Sequence, residues 1–223
     1  MEQYFEIISS AAMFDGIDRE DLRSLMHCLQ ARTVAVRKGS PVFLEGDPAG
    51  FVGIVLEGAV QLVRDEYYGD RTVIAHAQPG EVFAEAFACA GVQTMPISAY
   101  ALQNSVVLML SFGKMLSVCS NACPFHNRLV KNMMQLVARR NLELSGKIRI
   151  MSRKTTKEKL MEYLLEQAKR SGSNEFTIPF DRQALADYLG VERSAMSAEL
   201  SKLKREGNLE TKGSWFRLLR YPK

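Results

Sequence analysis

From about Val34 to Leu110 the apolar positions fall in short runs cut by glycine at 39, 46, 50, 53, 58, 69, 80 and 91. Four runs are rich in β-branched and aromatic residues: Pro41-Val42-Phe43-Leu44, Phe51-Val52-Gly53-Ile54-Val55-Leu56, Ala59-Val60-Gln61-Leu62-Val63 and Arg71-Thr72-Val73-Ile74-Ala75. Short strands at close, regular spacing with glycine turns predict an antiparallel sandwich or barrel. Glu45-Gly46-Asp47-Pro48 and Leu56-Glu57-Gly58-Ala59 supply the turn chemistry. Ahead of the strands, Asp18 followed by Leu22, Leu25, Met26 and Leu29 predicts a short capped helix over residues 18–30.

The period changes at Pro124. Val130, Met134, Val137, Asn141, Leu144, Ile148 and Met151 recur at alternating steps of four and three, a heptad seam sustained for about three repeats. Asn141 is the one polar member; such a residue costs stability but fixes register and oligomer state, which suits a parallel dimer. A second stripe, Leu129, Met133 and Leu136, is placed to pack against the helix's own domain. The expected organisation is a β-rich domain over residues 1–124, a dimerisation helix over 125–151 and a third domain over 152–223.

After the linker Ser152-Arg153-Lys154, Thr155 stands three residues before Glu158 as a capping box, with Leu160, Met161, Leu164 and Leu165 on one face of the helix it opens. Ser171-Gly172-Ser173-Asn174 ends that helix, and Phe176-Thr177-Ile178-Pro179 reads as a strand. Residues 182–206 have the form of a helix-turn-helix. The first helix carries Leu185, Ala186 and Leu189, with small Ala186 where the two helices must cross closely; Gly190 turns and Val191 plugs the gap. Met196, Leu200 and Leu203 form the apolar stripe of the second helix at i, i+4 and i+7. A hairpin turning at Lys212-Gly213-Ser214 completes a winged helix.

A recognition helix presents its N-terminal turn to base edges in the major groove. Arg193 has the fork geometry for guanine O6 and N7, Ser194 and Ser197 donate or accept, and Ala198 suits a thymine methyl. Arg182 and Lys202 are expected to contact phosphates. Charge agrees with this picture. The 223 residues carry a net +4, yet residues 1–125 hold 8 basic against 14 acidic side chains and residues 126–223 hold 21 against 11. The balance is therefore −6 in front and +10 behind, which favours a polyanion at the C-terminal end.

At 47% hydrophobic and 24% charged, the composition is that of a globular chain with a real core. The longest apolar runs, such as Val106-Val107-Leu108-Met109-Leu110, fall far short of the ~18 residues that cross a bilayer. The N-terminus has no basic-then-apolar leader, and four cysteines do not make a disulfide scaffold. A cytoplasmic protein without membrane contact is expected.

Four stretches carry a family likeness: Phe43-Leu44-Glu45-Gly46-Asp47 with Val55-Leu56-Glu57-Gly58, then Pro79-Gly80-Glu81-Val82-Phe83, then Leu189-Gly190-Val191-Glu192-Arg193-Ser194. With the order β-roll, long helix, winged helix, the chain resembles the cyclic-AMP receptor protein / fumarate-nitrate reductase regulator (CRP/FNR) family. The resemblance implies an α+β fold: an N-terminal antiparallel jelly-roll like that of cyclic-nucleotide-binding domains, a dimerisation helix and a winged helix-turn-helix. It also implies a bacterial homodimer on a palindromic double-stranded DNA operator, contact with RNA polymerase, and a small-molecule effector pocket inside the roll.

The pocket positions by that likeness are Glu85, Ala86, Ser98 and Ala99. In cyclic-nucleotide members this cassette has glycines and an arginine that grip ribose and phosphate. Here Ala84 and Ala86 replace the glycines and Pro96 the arginine, so the phosphate anchor is missing and no useful affinity for cyclic AMP is expected. The effector stays unidentified. Cys28 stands alone near the N-terminus where iron-sulfur members have a cysteine cluster. Cys119, Cys123 and His126, or His27 and Cys28, keep a redox, metal or haem sensor open as an alternative, with buried cysteine as a small hydrophobe beside it. A roll without any effector, serving a constitutive DNA-binding dimer, is the third reading. An enzyme is not expected: of His27, His76 and His126 only His76 falls among the strands, and no nucleophile-base pair or phosphate loop appears.

Overall fold

In the computed structural model residues 1–65, 71–117 and 124–219 are described. Cys119 and Cys123 lie outside them. The chain divides into two compact units, residues 1–139 and 140–223, so one long helix is shared between them.

The first unit opens with α1 (Phe5–Ser10) and α2 (Arg19–Cys28), the latter capped by Asp18, whose carboxylate accepts the N–H groups of Glu20 and Asp21. Eight strands follow: β1 (Arg32–Val36), β2 (Pro41–Phe43), β3 (Phe51–Glu57), β4 (Val60–Asp65), β5 (Arg71–Ala77), β6 (Val82–Phe83), β7 (Ser98–Ala101) and β8 (Ser105–Ser111). They form two four-stranded antiparallel sheets, ordered β1-β8-β3-β6 and β2-β7-β4-β5. The short helix α3 (Glu85–Cys89) lies between β6 and β7, and α4 (Phe112–Leu116) follows β8. The four runs named from sequence became β2 to β5; β1, β6, β7 and β8 lie outside them, and of these Arg32–Val36 and Ser98–Ala101 carry no glycine-bounded apolar block.

The two central strands of the first sheet are buried on both faces, which is why β3 and β8 are nearly continuous in apolar residues rather than alternating, whereas the edge strand β1 is largely exposed. Side chains on a strand point to opposite faces in turn. Val55, Val107 and Met109 therefore face the second sheet, with Phe43, Val60, Leu62, Ile97 and Ala99. Val52, Ile54, Leu108 and Leu110 face outward, onto Phe5, Ile8, Phe14, Leu22 and Leu25 of the N-terminal segment. Gly53 makes room for Phe83, whose ring occupies the space a Cβ at that position would take.

The long helix α5 (Pro124–Met151) closes the outer core with Leu129 and Met133, and Leu136 packs partly against it. Burying each of these side chains contributes on the order of 1.5–3 kcal/mol. Beside them Asn132 donates to the carbonyls of Met13 at 3.1 Å and Asp15 at 2.8 Å, pinning the helix to the segment before α2.

The second unit holds the end of α5, then α6 (Thr156–Ser171), β9 (Glu175–Thr177), α7 (Arg182–Leu189), α8 (Arg193–Arg205), β10 (Leu209–Lys212) and β11 (Trp215–Leu218). Its sheet is ordered β10-β11-β9. A separate core gathers Ile150, Leu160, Leu164, Leu185, Met196, Leu203 and Phe216.

Candidate nucleic-acid interface and sensor roll

The reading head is built from its turn. Asp181 caps α7 by accepting the N–H of Ala184, and Gly190 ends it at φ +58°. A Cβ at Gly190 would stand 2.7 Å from Met151 Cε, so the left-handed turn and the close approach both require glycine. Ala186, fully buried, lets α7 and α8 cross closely, and Val191 packs against the same core. Met196, Leu200 and Leu203 are buried on α8, leaving Arg193, Ser194, Ala198, Ser201, Lys202 and Arg205 exposed on its other side and Ser197 half-buried at the edge.

At the N-terminus of α8 the Ser194 hydroxyl donates to the Glu192 carboxylate, which is thereby held below its ordinary pKa. Ser194 is thus already engaged by its neighbour. Arg193, beside it, makes no ion pair among the described residues.

Arg182 differs from a free phosphate contact. Its guanidinium lies over the Phe216 ring, 5.1 Å from the centroid, and Nη2 donates to Thr211 Oγ1 at 2.9 Å. Burial lowers its pKa, though it stays a cation. This contact ties the start of the helix-turn-helix to β10 and β11, and only the N–H groups not aimed at Thr211 are left for a polyanion. Sequence placed Arg182 at the head's edge but gave no sign of the brace, since Phe216 and Thr211 lie about thirty residues away.

The wing is the two-residue turn Gly213-Ser214, held by Arg217, which pairs with Glu175 and Glu210 at 3.2 Å each. Behind the head, Arg149 bridges Glu162 and Glu166 at 3.0 Å each, Arg153 takes Glu162 at 2.7 Å and Arg170 takes Glu166 at 2.6 Å. Tyr163, Phe180 and Tyr188 pack as an aromatic trio, with Lys147 5.4 Å above Tyr188. Burial, then the neighbouring Tyr188, pushes the Tyr163 hydroxyl up to about 12. These groups link the last turns of α5 to α6 and α7.

The seam positions of α5 divide by exposure. Met134 is 69% exposed, Leu144 61% and Ile148 67%, with Asn141 also open and Val130 and Val137 half-covered, whereas Leu129 is fully buried. One stripe serves the unit's own core and the other faces away from it.

In the roll, Glu85 is buried at the first turn of α3 while Ala86 is exposed. Ala84, preceding them, holds φ +63°, a left-handed conformation that glycine adopts without strain. Ser98 and Ala99 do not line one surface. Ala99 belongs to the inter-sheet core, and Ser98, turned to the opposite face, accepts the Glu45 N–H at 2.9 Å. Cys89 is exposed, its thiol pushed up by burial and by the Glu85 charge, and Cys28 is half-buried. No group of three or more His, Cys, Asp or Glu placed to hold a metal ion occurs among the described residues.

Comparison with known proteins places both units. Residues 33–122 match the model of the cyclic nucleotide-binding domain, and residues 158–223 that of the Crp-like helix-turn-helix domain. The transcriptional activator protein anr of Pseudomonas aeruginosa is 24% identical over 205 residues, covering 90% of this chain and 81% of its own. The transcriptional activator protein FnrL of Cereibacter sphaeroides is 26% identical over 216 residues, covering 88% and 79%. The solved catabolite activator protein of Thermus thermophilus shares the fold at a TM-score of 0.51 and 23% identity, covering 93% of each chain.

A β-roll, a long helix and a winged helix-turn-helix of this kind define a DNA-binding transcription regulator, a class without enzymatic activity. The chain belongs to the CRP/FNR family. No helix among the described residues is long and apolar enough to cross a membrane.

Proposed function

We propose that the protein acts in the cytoplasm as a homodimer on a palindromic operator, with α8 of each protomer in a major groove. The observation that supports the dimer is the pair of stripes on α5: Met134, Leu144 and Ile148 are exposed in the protomer while the neighbouring Leu129 and Met133 are buried. A helix that already satisfies its own core has no internal use for a second apolar stripe. Arg193 is assigned to guanine, with Ser194, Ser197 and Ala198 beside it on the bases. Lys202, and the N–H groups of Arg182 left over from its brace, are assigned to phosphates. Contact with RNA polymerase is assigned from the family.

The input is an unidentified small molecule bound by the roll, not cyclic AMP. Pro96 offers a phosphate neither charge nor donor, and Ala84 and Ala86 place methyl groups where glycine would expose backbone amides. Operator selection from random double-stranded DNA, with and without cell extract, tests the whole reading. Two inverted half-sites about one helical turn apart, enriched more strongly with extract, are expected. A single unpaired half-site overturns the dimer, and extract-independent selection points to the constitutive reading instead. Micromolar binding of cyclic AMP by calorimetry overturns the exclusion of that nucleotide.

A further inference from the structure

Between the two sheets, at one end of the roll, a cleft of about 580 Å³ opens, within the size range of small-molecule sites. None of Glu85, Ala86, Ser98 or Ala99 lines it. Its floor is apolar: Phe43 from one sheet meets Phe51 from the other edge-on at 5.5 Å, beside Met109 and Val42.

Arg32 stands on its wall. Register places Arg32 opposite Met109, and directly opposed residues share a face of the sheet. Met109 belongs to the inter-sheet core, so Arg32 is an arginine on the inward face of an edge strand. Its guanidinium has no ion pair or hydrogen bond among the described residues. Asp47 also lines the cleft, but one of its oxygens is committed to the Leu44 N–H at 2.8 Å, in the turn before β3. Gln30 and Ser111 also line it.

The geometry points to a binding site for an organic monocarboxylate with an aromatic or branched apolar body. The carboxylate pairs with the Arg32 fork, the body lies against Phe43, Phe51 and Met109, and the Asp47 charge disfavours a second negative group. The assignment rests on the roll alone and is independent of what the reading head binds.

The test uses the full-length protein, with 4-phenylbutanoate and the uncharged 4-phenylbutanamide as probes, titrated by calorimetry and ligand-observed NMR. The acid is expected to bind at least tenfold more tightly than the amide. Arg32→Gln, at an exposed side chain, should weaken the acid at least tenfold and bring it level with the amide. Gly50 also lines the cleft, has no left-handed φ, and a Cβ there meets nothing within 4 Å. Gly50→Leu should therefore fold, as a thermal melt will show, and weaken both probes by filling the space. Failure of the wild type to bind either probe at millimolar concentration overturns the site. So does equal affinity for acid and amide, or acid binding that Arg32→Gln leaves unchanged.

Discussion

The guanidinium carbon of Arg182, the first residue of α7, sits over the Phe216 ring of the wing, 5.1 Å from its centroid. Because the same group donates to Thr211, the brace combines a cation–π contact with a half-buried hydrogen bond. Those are worth roughly 0.5–2 and 0.5–1.5 kcal/mol respectively. Arg182→Ala is therefore expected to destabilise the C-terminal unit by about 1–2 kcal/mol in a denaturant melt. Arg182→Lys should recover only part of that, since an ammonium lacks the planar fork. A variant as stable as the wild type would show that the brace carries no energy.

Arg193 lies on the exposed side of α8 and carries no structural pairing among the described residues, so its loss should fall on recognition and not on folding. Arg193→Ala is expected to lose roughly 1–3 kcal/mol of specific operator affinity while keeping most non-specific affinity, measured by titration on selected and scrambled duplexes at one salt concentration. Equal losses on both would make Arg193 a phosphate contact.

The capping box of α6 gives a pH signature. Glu158 accepts the N–H groups of Thr155 and Lys154 at 3.1 Å, and Thr155 accepts the Glu158 N–H at 3.2 Å. The hydrogen bonds from Thr155, then from Lys154, and the charge of Arg153 hold the Glu158 carboxyl below its ordinary 4.5. A carboxyl depressed in the folded state stabilises it above the unfolded value and loses that effect as pH falls through the folded one. The C-terminal unit should therefore lose a component of its stability below about pH 4.5, and Glu158→Gln should flatten that limb of the profile. Thr155→Ala should cost about 1 kcal/mol at neutral pH by removing the cap.

How much of this was legible in sequence depends on whether the signal was local. The capping box, the Asp18 cap, the Gly190 turn and the α8 stripe are set by residues within one or two turns, and each appears where its spacing placed it. The family was legible too, because its motifs are short and contiguous. The Arg182 brace, the position of Arg32 beside Met109 and the opposed facing of Ser98 and Ala99 depend on strand register and long-range packing. A linear pattern does not encode these. Ala84 is a further case: it stands at a family glycine, but alanine itself does not encode the left-handed turn that the backbone keeps there.

The two stripes of α5 make opposite predictions for substitutions only one residue apart in the heptad. Met133 is buried against the roll's outer core, so Met133→Asp should unfold or strongly destabilise the first unit, by about 3 kcal/mol or more, through an unpaired buried charge. Met134 and Ile148 are exposed in the protomer, so Met134→Asp and Ile148→Asp should leave its thermal melt at low protein concentration nearly unchanged. At the same time they should weaken self-association at least tenfold in sedimentation and weaken operator binding with it. Asn141→Leu adds the third arm. Replacing the polar seam residue should tighten association while relaxing its register, producing species larger than a dimer. If all the exposed-stripe variants sediment as the wild type does, the seam is not the surface through which two copies meet.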